Sequence, residues 1–151
     1  MVTLVGTQGS FVDALKELIE LEFDAIEAYE TAITRLQNEK YKTTLTEFKG
    51  DHGRHVKELR GLLIQHDIVP PTGPSMGKHW ITKGKVVIAN LTGGDEAILL
   101  AMKSNEMDTN TAYRRMNERL DIWDDAKDII ERGLEDEIGH KKWLEDHFKK
   151  I

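Results

Sequence analysis

Apolar residues recur at helical spacing along most of the chain. Phe11, Ala14, Leu15, Leu18, Ala25, Ile26, Tyr29, Ala32, Ile33 and Leu36 lie on one stripe, which predicts a helix over about 11–38. Ser10 is suited to cap it, with Asp13 as a weak capping-box partner. The polar cluster Gln37-Asn38-Glu39-Lys40 predicts a short turn, and a second helix follows over about 41–66. Its stripe is Leu45, Phe48, His52, His55, Leu59, Leu62 and His66. Gly50 and Gly53 lie inside it and each disfavours the helix by about 1 kcal/mol relative to Ala, so close approach of a neighbouring helix is their expected use.

Pro70, Pro71, Gly73 and Pro74 stop any helix. Ser75 then caps a shorter helix over about 75–90, with Trp80, Ile81, Val87, Ile88 and Leu91 on one side. This stretch is too long for a tight turn and reads as a crossover between distant helix ends. A third long helix is expected over about 95–120, with Leu99, Met102, Glu106, Thr109, Tyr113, Met116 and Leu120 on its stripe. A fourth, over about 124–148, carries Ile130, Gly133, Glu137, His140, Leu144 and Phe148. Four long amphipathic helices with one crossover predict an all-α four-helix bundle, a single domain over 1–151.

Composition narrows the chemistry. A charged fraction of 32% and a net charge of −6, without a basic block, argue against a general nucleic-acid or acidic-membrane binder. The absence of cysteine excludes disulfides, thiolate catalysis and Cys-based zinc or iron–sulfur sites. Any metal must be held by His, Asp and Glu. Neither a signal peptide nor a membrane span is expected, and the expected location is the cytoplasm.

Several polar residues interrupt the apolar stripes. Glu137 and His140 are spaced so that they point the same way on a helix. Glu22 stands between Leu18 and Ala25, and Glu106 between Met102 and Thr109. Each of these glutamates is followed two turns later by a tyrosine, Tyr29 or Tyr113. His55 follows Glu22 at nearly the distance by which His140 follows Glu106, and one turn before these histidines stand His52 and Glu137. Each half of the chain therefore offers a Glu on its first helix and an x-x-His pair on its second. Burying several carboxylates together is strongly unfavourable without compensating cations or hydrogen bonds. Divalent ions supply that compensation, and oxygen with imidazole donors suits iron, manganese or zinc.

Over about residues 11–148 this arrangement resembles the ferritin-like superfamily of di-metal carboxylate bundles, which includes rubrerythrin and bacterioferritin. The family pattern is one Glu from each of two helices and Glu-x-x-His from each of the other two. Glu22, His55, Glu106, Glu137 and His140 match it. The family's bridging Glu on the second helix is His52 here. The stretch GKHWITKGKVVIANLTGGD, residues 77–95, further resembles the crossover of a bacterial ferritin-like subfamily of undefined function.

The resemblance implies a centre of two iron ions, with manganese or zinc as alternatives, reacting with dioxygen or peroxide in the manner of a ferroxidase or peroxidase. It implies Glu22, His55, Glu106 and His140 as terminal ligands and Glu137 as a bridge. Tyr29 and Tyr113 would either hydrogen-bond ligand carboxylates or simply be core aromatics. Without a cysteine-bearing rubredoxin-like domain, electrons would come from a separate donor. Homodimerisation through the bundle sides is open.

The His52 departure changes the charge balance. Three carboxylates and three imidazoles around two divalent ions leave about one positive charge, and an imidazole does not bridge ions as a carboxylate does. A di-metal site with one protein bridge, a single-metal site and a degenerate site are all open. Asp51 lies about 100° round the helix from His52 and would need local distortion to act as a ligand. Two other functions stay in view: a non-enzymatic stress or scaffold module, and a hydrolytic zinc site held by His52, His55 and His140.

Overall fold

The computed structural model describes residues 3–74 and 84–149. It contains α1 (Phe11–Arg35), α2 (Glu39–Gln65), the short α3 (Gly84–Ala89), α4 (Asp95–Glu118) and α5 (Lys127–Lys149), with a 3₁₀ turn at Asp124–Ala126. No strand occurs among the described residues. The four long helices pack together as a helical bundle.

The helix starts follow local capping chemistry. The Ser10 side chain accepts from the Asp13 backbone N–H at 3.1 Å, relieving one unpaired donor of the first turn. Asn38 does the same for α2, accepting from the N–H groups of Lys40 and Tyr41. It thereby draws Glu39 and Lys40 into α2, so the expected turn shrinks to Leu36–Asn38. Asp95 opens α4 and also accepts from the backbone N–H groups of Gln37 and Asn38, at 2.8 and 2.9 Å.

That last contact fixes the topology. It sets the start of α4 beside the end of α1 and the start of α2, so α1 and α4 are antiparallel and α2 runs parallel to α4. The chain from the end of α2 must then travel the length of the bundle, as the expected crossover requires. Its described helical part, α3, packs on α1 and α4. Gly84 N–H donates to Asp24 Oδ2 at 3.2 Å, and Arg35 donates to the Ile88 carbonyl. Residues 75–83 of the expected crossover helix, with Ser75, Trp80 and Ile81, lie outside the described residues. Of the apolar side expected there, Ile88 is buried and Val87 is exposed.

The core is in two parts. One gathers Leu15, Leu18, Leu59, Leu62, Met116 and Ile130. The other gathers Tyr29, Leu36, Leu45, Leu99, Met102 and Leu144. Between them, at mid-bundle, lies a layer of buried polar side chains. The expected role of Gly50 and Gly53 does not hold, since a Cβ at either position would meet nothing within 4 Å. Close approach is needed instead at Gly133, where a Cβ would run into the Tyr113 ring.

Candidate metal centre

The polar layer is built by one or two residues from each long helix. Glu22 comes from α1, His52 and His55 from α2, Glu106 from α4, and Glu137 and His140 from α5. All six are at most 3% exposed. The structure therefore brings together every residue that sequence patterning placed at this level.

The six donors fall into two quartets that share His52 and Glu137. In the first, Glu22 Oε2 is 3.1 Å from both His52 Nδ1 and His55 Nδ1. Glu137 Oε1 is 3.3 Å from the same two nitrogens. In the second, Glu106 Oε1 is 3.2 Å from His52 Nε2 and 3.4 Å from His140 Nδ1. His140 Nδ1 is also 3.6 Å from Glu137 Oε2. Glu137 thus offers one oxygen to each quartet, and His52 one nitrogen.

These spacings can be tested against an ion. Four donors at about 2.0–2.1 Å from a tetrahedral first-row divalent ion stand roughly 3.3–3.4 Å apart. The nitrogen–oxygen distances given above, 3.1–3.6 Å, lie close to that. Glu137 Oε1 and His140 Nδ1 are also buried polar atoms without a hydrogen-bond partner among the described residues. Such orphaned groups are costly in a protein interior. A metal ion would satisfy them, and the donor set could hold one.

Both terminal histidines are oriented from behind. His55 Nε2–H donates to Asp136 Oδ2 at 2.9 Å, and His140 Nε2–H donates to Asp51 Oδ2 at 2.8 Å. A carboxylate only accepts, so the hydrogen sits on Nε2 and Nδ1 faces the centre. The exchange is reciprocal: α2 supplies the carboxylate for the α5 histidine and α5 the one for α2. Arg54 pairs with Asp136 and lies 3.6 Å from Asp51 Oδ1. Asp51 therefore holds the His140 ring in place from outside the polar layer. Asp136 gave no signal in the sequence, because the partner that gives it meaning is on another helix.

Other neighbours complete the layer. The Tyr29 hydroxyl donates to Glu106 Oε1, the carboxylate bond that was one of the two alternatives open for it. Tyr113 does not make the matching bond: its buried hydroxyl has no partner among the described residues, and its ring packs against His55 with centroids 5.5 Å apart. Thr109 Oγ1 lies 2.9 Å from Glu137 Oε2 and 3.1 Å from both Glu106 Oε2 and the Glu106 carbonyl, so its single hydrogen serves one of the three at a time. Asn110 donates to the backbone carbonyls of Glu106 and Glu137 and ties α4 to α5. The Phe48 ring stacks on His140 at 4.2 Å.

Without metal, the layer neutralises itself. Burial pushes the Glu22 carboxyl up, but His52 and His55 outweigh it and hold the pKa down at about 2. Burial works against charge on the imidazoles, yet the surrounding carboxylates hold His55 and His140 up at about 10, and His52 well above its ordinary range. Glu137 differs: burial and the neighbouring Glu106 charge push it up to about 7. Protons thus take the place that divalent cations would fill.

A zinc site of His52, His55 and His140 does not match this grouping, because His55 and His140 serve opposite quartets. His147 near the end of α5 is half-buried, lies parallel to the Trp143 ring and pairs with Glu96.

Comparison with known proteins supports the fold and leaves the activity unassigned. The crystal structure of a conserved hypothetical protein, Rv2844, from Mycobacterium tuberculosis superposes with a TM-score of 0.72 at 14% identity, covering 92% of this chain and 98% of that one. No curated protein matches the sequence. Residues 10–119, which include Glu22, His52, His55 and Glu106 but not the Glu137–His140 pair, match the model of a domain of unknown function, DUF2383, and the chain belongs to that family.

Proposed function

We propose that this protein binds two divalent metal ions at mid-bundle and that, loaded with iron, it reacts with dioxygen or peroxide. The observation that carries the reading is the pair of buried donor quartets sharing His52 and Glu137, with Glu137 Oε1 and His140 Nδ1 making no hydrogen bond among the described residues. Glu22, His55, Glu106 and His140 would be terminal ligands and Glu137 a bridge. Oxygen and imidazole donors suit iron, manganese or zinc. Bound iron would supply the electron transfer. The protein would fix the donors, hold both histidine tautomers through Asp51 and Asp136, and keep a hydroxyl, Thr109, beside two of the carboxylates. Burial of every donor favours an oxidant the size of dioxygen or peroxide over a bulky substrate. The electron donor would be a separate protein or small reductant.

A second reading, a binding or structural module without turnover, is favoured by the same burial and by the ion pairs that satisfy much of the layer without metal. Metal content after purification without chelator, followed by Fe(II) oxidation with dioxygen or peroxide, separates the two. The expected result is close to two ions per chain and oxidation faster than in buffer. His140→Ala is expected to lower both. Metal bound without accelerated oxidation supports the second reading. Absence of bound metal, with iron affinity unaltered in His140→Ala, removes the first reading.

A further inference from the structure

The sequence left His52 as the flaw in the pattern, an imidazole where the resembling family has a bridging carboxylate. Its placement gives it a role of its own. The ring is fully buried and lies between the two donor quartets. Nδ1 is 3.1 Å from Glu22 Oε2 and 3.3 Å from Glu137 Oε1, while Nε2, across the ring, is 3.2 Å from Glu106 Oε1. Tyr29, His140 and His55 surround it with centroids 5.1, 5.2 and 5.7 Å away.

We propose that His52 bridges two divalent ions as an imidazolate, Nδ1 completing the site of Glu22, His55 and Glu137, and Nε2 completing the site of Glu106, His140 and Glu137. The inference rests on the reading of this layer as a metal centre and deepens it. A neutral imidazole has one free lone pair, which is why it does not stand in for a bridging carboxylate. Here both N–H protons of the cationic ring leave to solvent as the two ions enter. Each nitrogen then gives one lone pair to one ion, and no electrons change hands.

The charge balance favours this bridge. Two divalent ions and three carboxylates leave one positive charge in a buried layer, and an imidazolate removes it. The fourth anionic ligand of the usual site is thereby replaced by another anionic ligand with two donors facing opposite ways. His55 and His140 differ in just this respect, because Asp136 and Asp51 hold hydrogens on their outer nitrogens and leave one donor each. His52 has a carboxylate of the layer at both nitrogens and no outward partner among the described residues.

The bridge has a measurable consequence. Metal–nitrogen bonds of about 2.0–2.1 Å on either side of a five-membered ring set the ions about 6 Å apart, against about 3.5–4 Å in the usual two-metal site. The test is a crystal of the wild-type protein loaded with zinc alone, with an anomalous map at the zinc edge. Two peaks about 6 Å apart, each bonded to one His52 nitrogen, are expected. Two peaks within about 4 Å, a single peak, or His52 bonded to one ion or none overturns the bridge while leaving metal binding intact. Absence of zinc from all six donors removes the underlying metal reading as well.

In solution, copper(II) loaded to two equivalents should give an exchange-coupled electron paramagnetic resonance spectrum. A full-intensity signal from isolated ions overturns the proposal. His52→Glu, which restores the family's carboxylate, should keep two ions and shorten their separation to about 3.5–4 Å. Spacing unchanged by that substitution also overturns it.

Discussion

Asp51 and Asp136 decide which nitrogen each terminal histidine turns to the centre. With Nε2–H committed to a carboxylate, the only lone pair of neutral His55 or His140 points inward from Nδ1. Replacing both aspartates by asparagine keeps their size but weakens this hold and removes the charge that raises imidazole basicity. Loss of such partners commonly costs about 10–100-fold in metal affinity. The Asp51→Asn, Asp136→Asn double variant should therefore bind zinc at least ten-fold more weakly in competition with a chromophoric chelator, with its far-ultraviolet circular dichroism unchanged. Zinc affinity equal to wild type would show that the aspartates do not set the donors. The six donors themselves were legible in the sequence because each interrupts an apolar stripe. Asp136 was not, since it sits on the flank of its helix, where a carboxylate normally faces water. Tyr113 stayed an open choice for a related reason: its repeat position matched Tyr29, but the surroundings of a hydroxyl depend on contacts between helices that periodicity does not record.

The helices were legible where apolar spacing and caps agreed, as at Ser10 and at the Glu137–Leu144 stripe. The boundary after α1 shifted because Asn38 caps α2, a choice that depends on which donors the turn leaves free. Glycines were the least legible feature, because their cost is local and their use lies on a neighbour. Gly53 is exposed and a Cβ there meets nothing, whereas Gly133 lies under the buried Tyr113 ring. Opposite effects follow for the same substitution. Gly53→Ala should stabilise the protein by about 1 kcal/mol through helix propensity alone. Gly133→Ala should destabilise it by about 1–3 kcal/mol through overpacking, despite the same propensity gain. Urea unfolding of the two variants beside wild type measures both. Equal shifts in one direction would mean that the α4–α5 contact at Gly133 is slack. Gly53 is also between the two α2 donors, so its retained metal content would show that α2 keeps its register there.

On the scale of the whole bundle, two apolar clusters are separated by a layer whose charges pair with one another and, on the proposed reading, hold ions instead, with pH selecting between these states. In the metal-free protein, His55 and His140 are held up at about 10 against an ordinary 6.5. A group raised on folding contributes stability that is fully present below its unfolded value and is lost as pH climbs through the folded one. Their contribution is therefore complete below about pH 6.5 and gone above about pH 10. Glu137, raised to about 7 from 4.5, acts with the same sign, its share fading between those values. Glu22, lowered to about 2, has the opposite sign and gives way only in acid, as pH falls from 4.5 through 2. The chelated protein should accordingly lose thermal stability on going from pH 6.5 to pH 9. Metal acts in reverse, because ligation requires neutral imidazoles and ionised carboxylates and so gains as protons leave. The rise in melting temperature given by a fixed excess of zinc over the chelated state should widen steadily across that interval. Differential scanning calorimetry on both forms at closely spaced pH values makes the comparison. A zinc increment that stays constant or narrows towards pH 9 would mean that ions and protons do not compete for this layer, and that the ion pairs at mid-bundle are its permanent state.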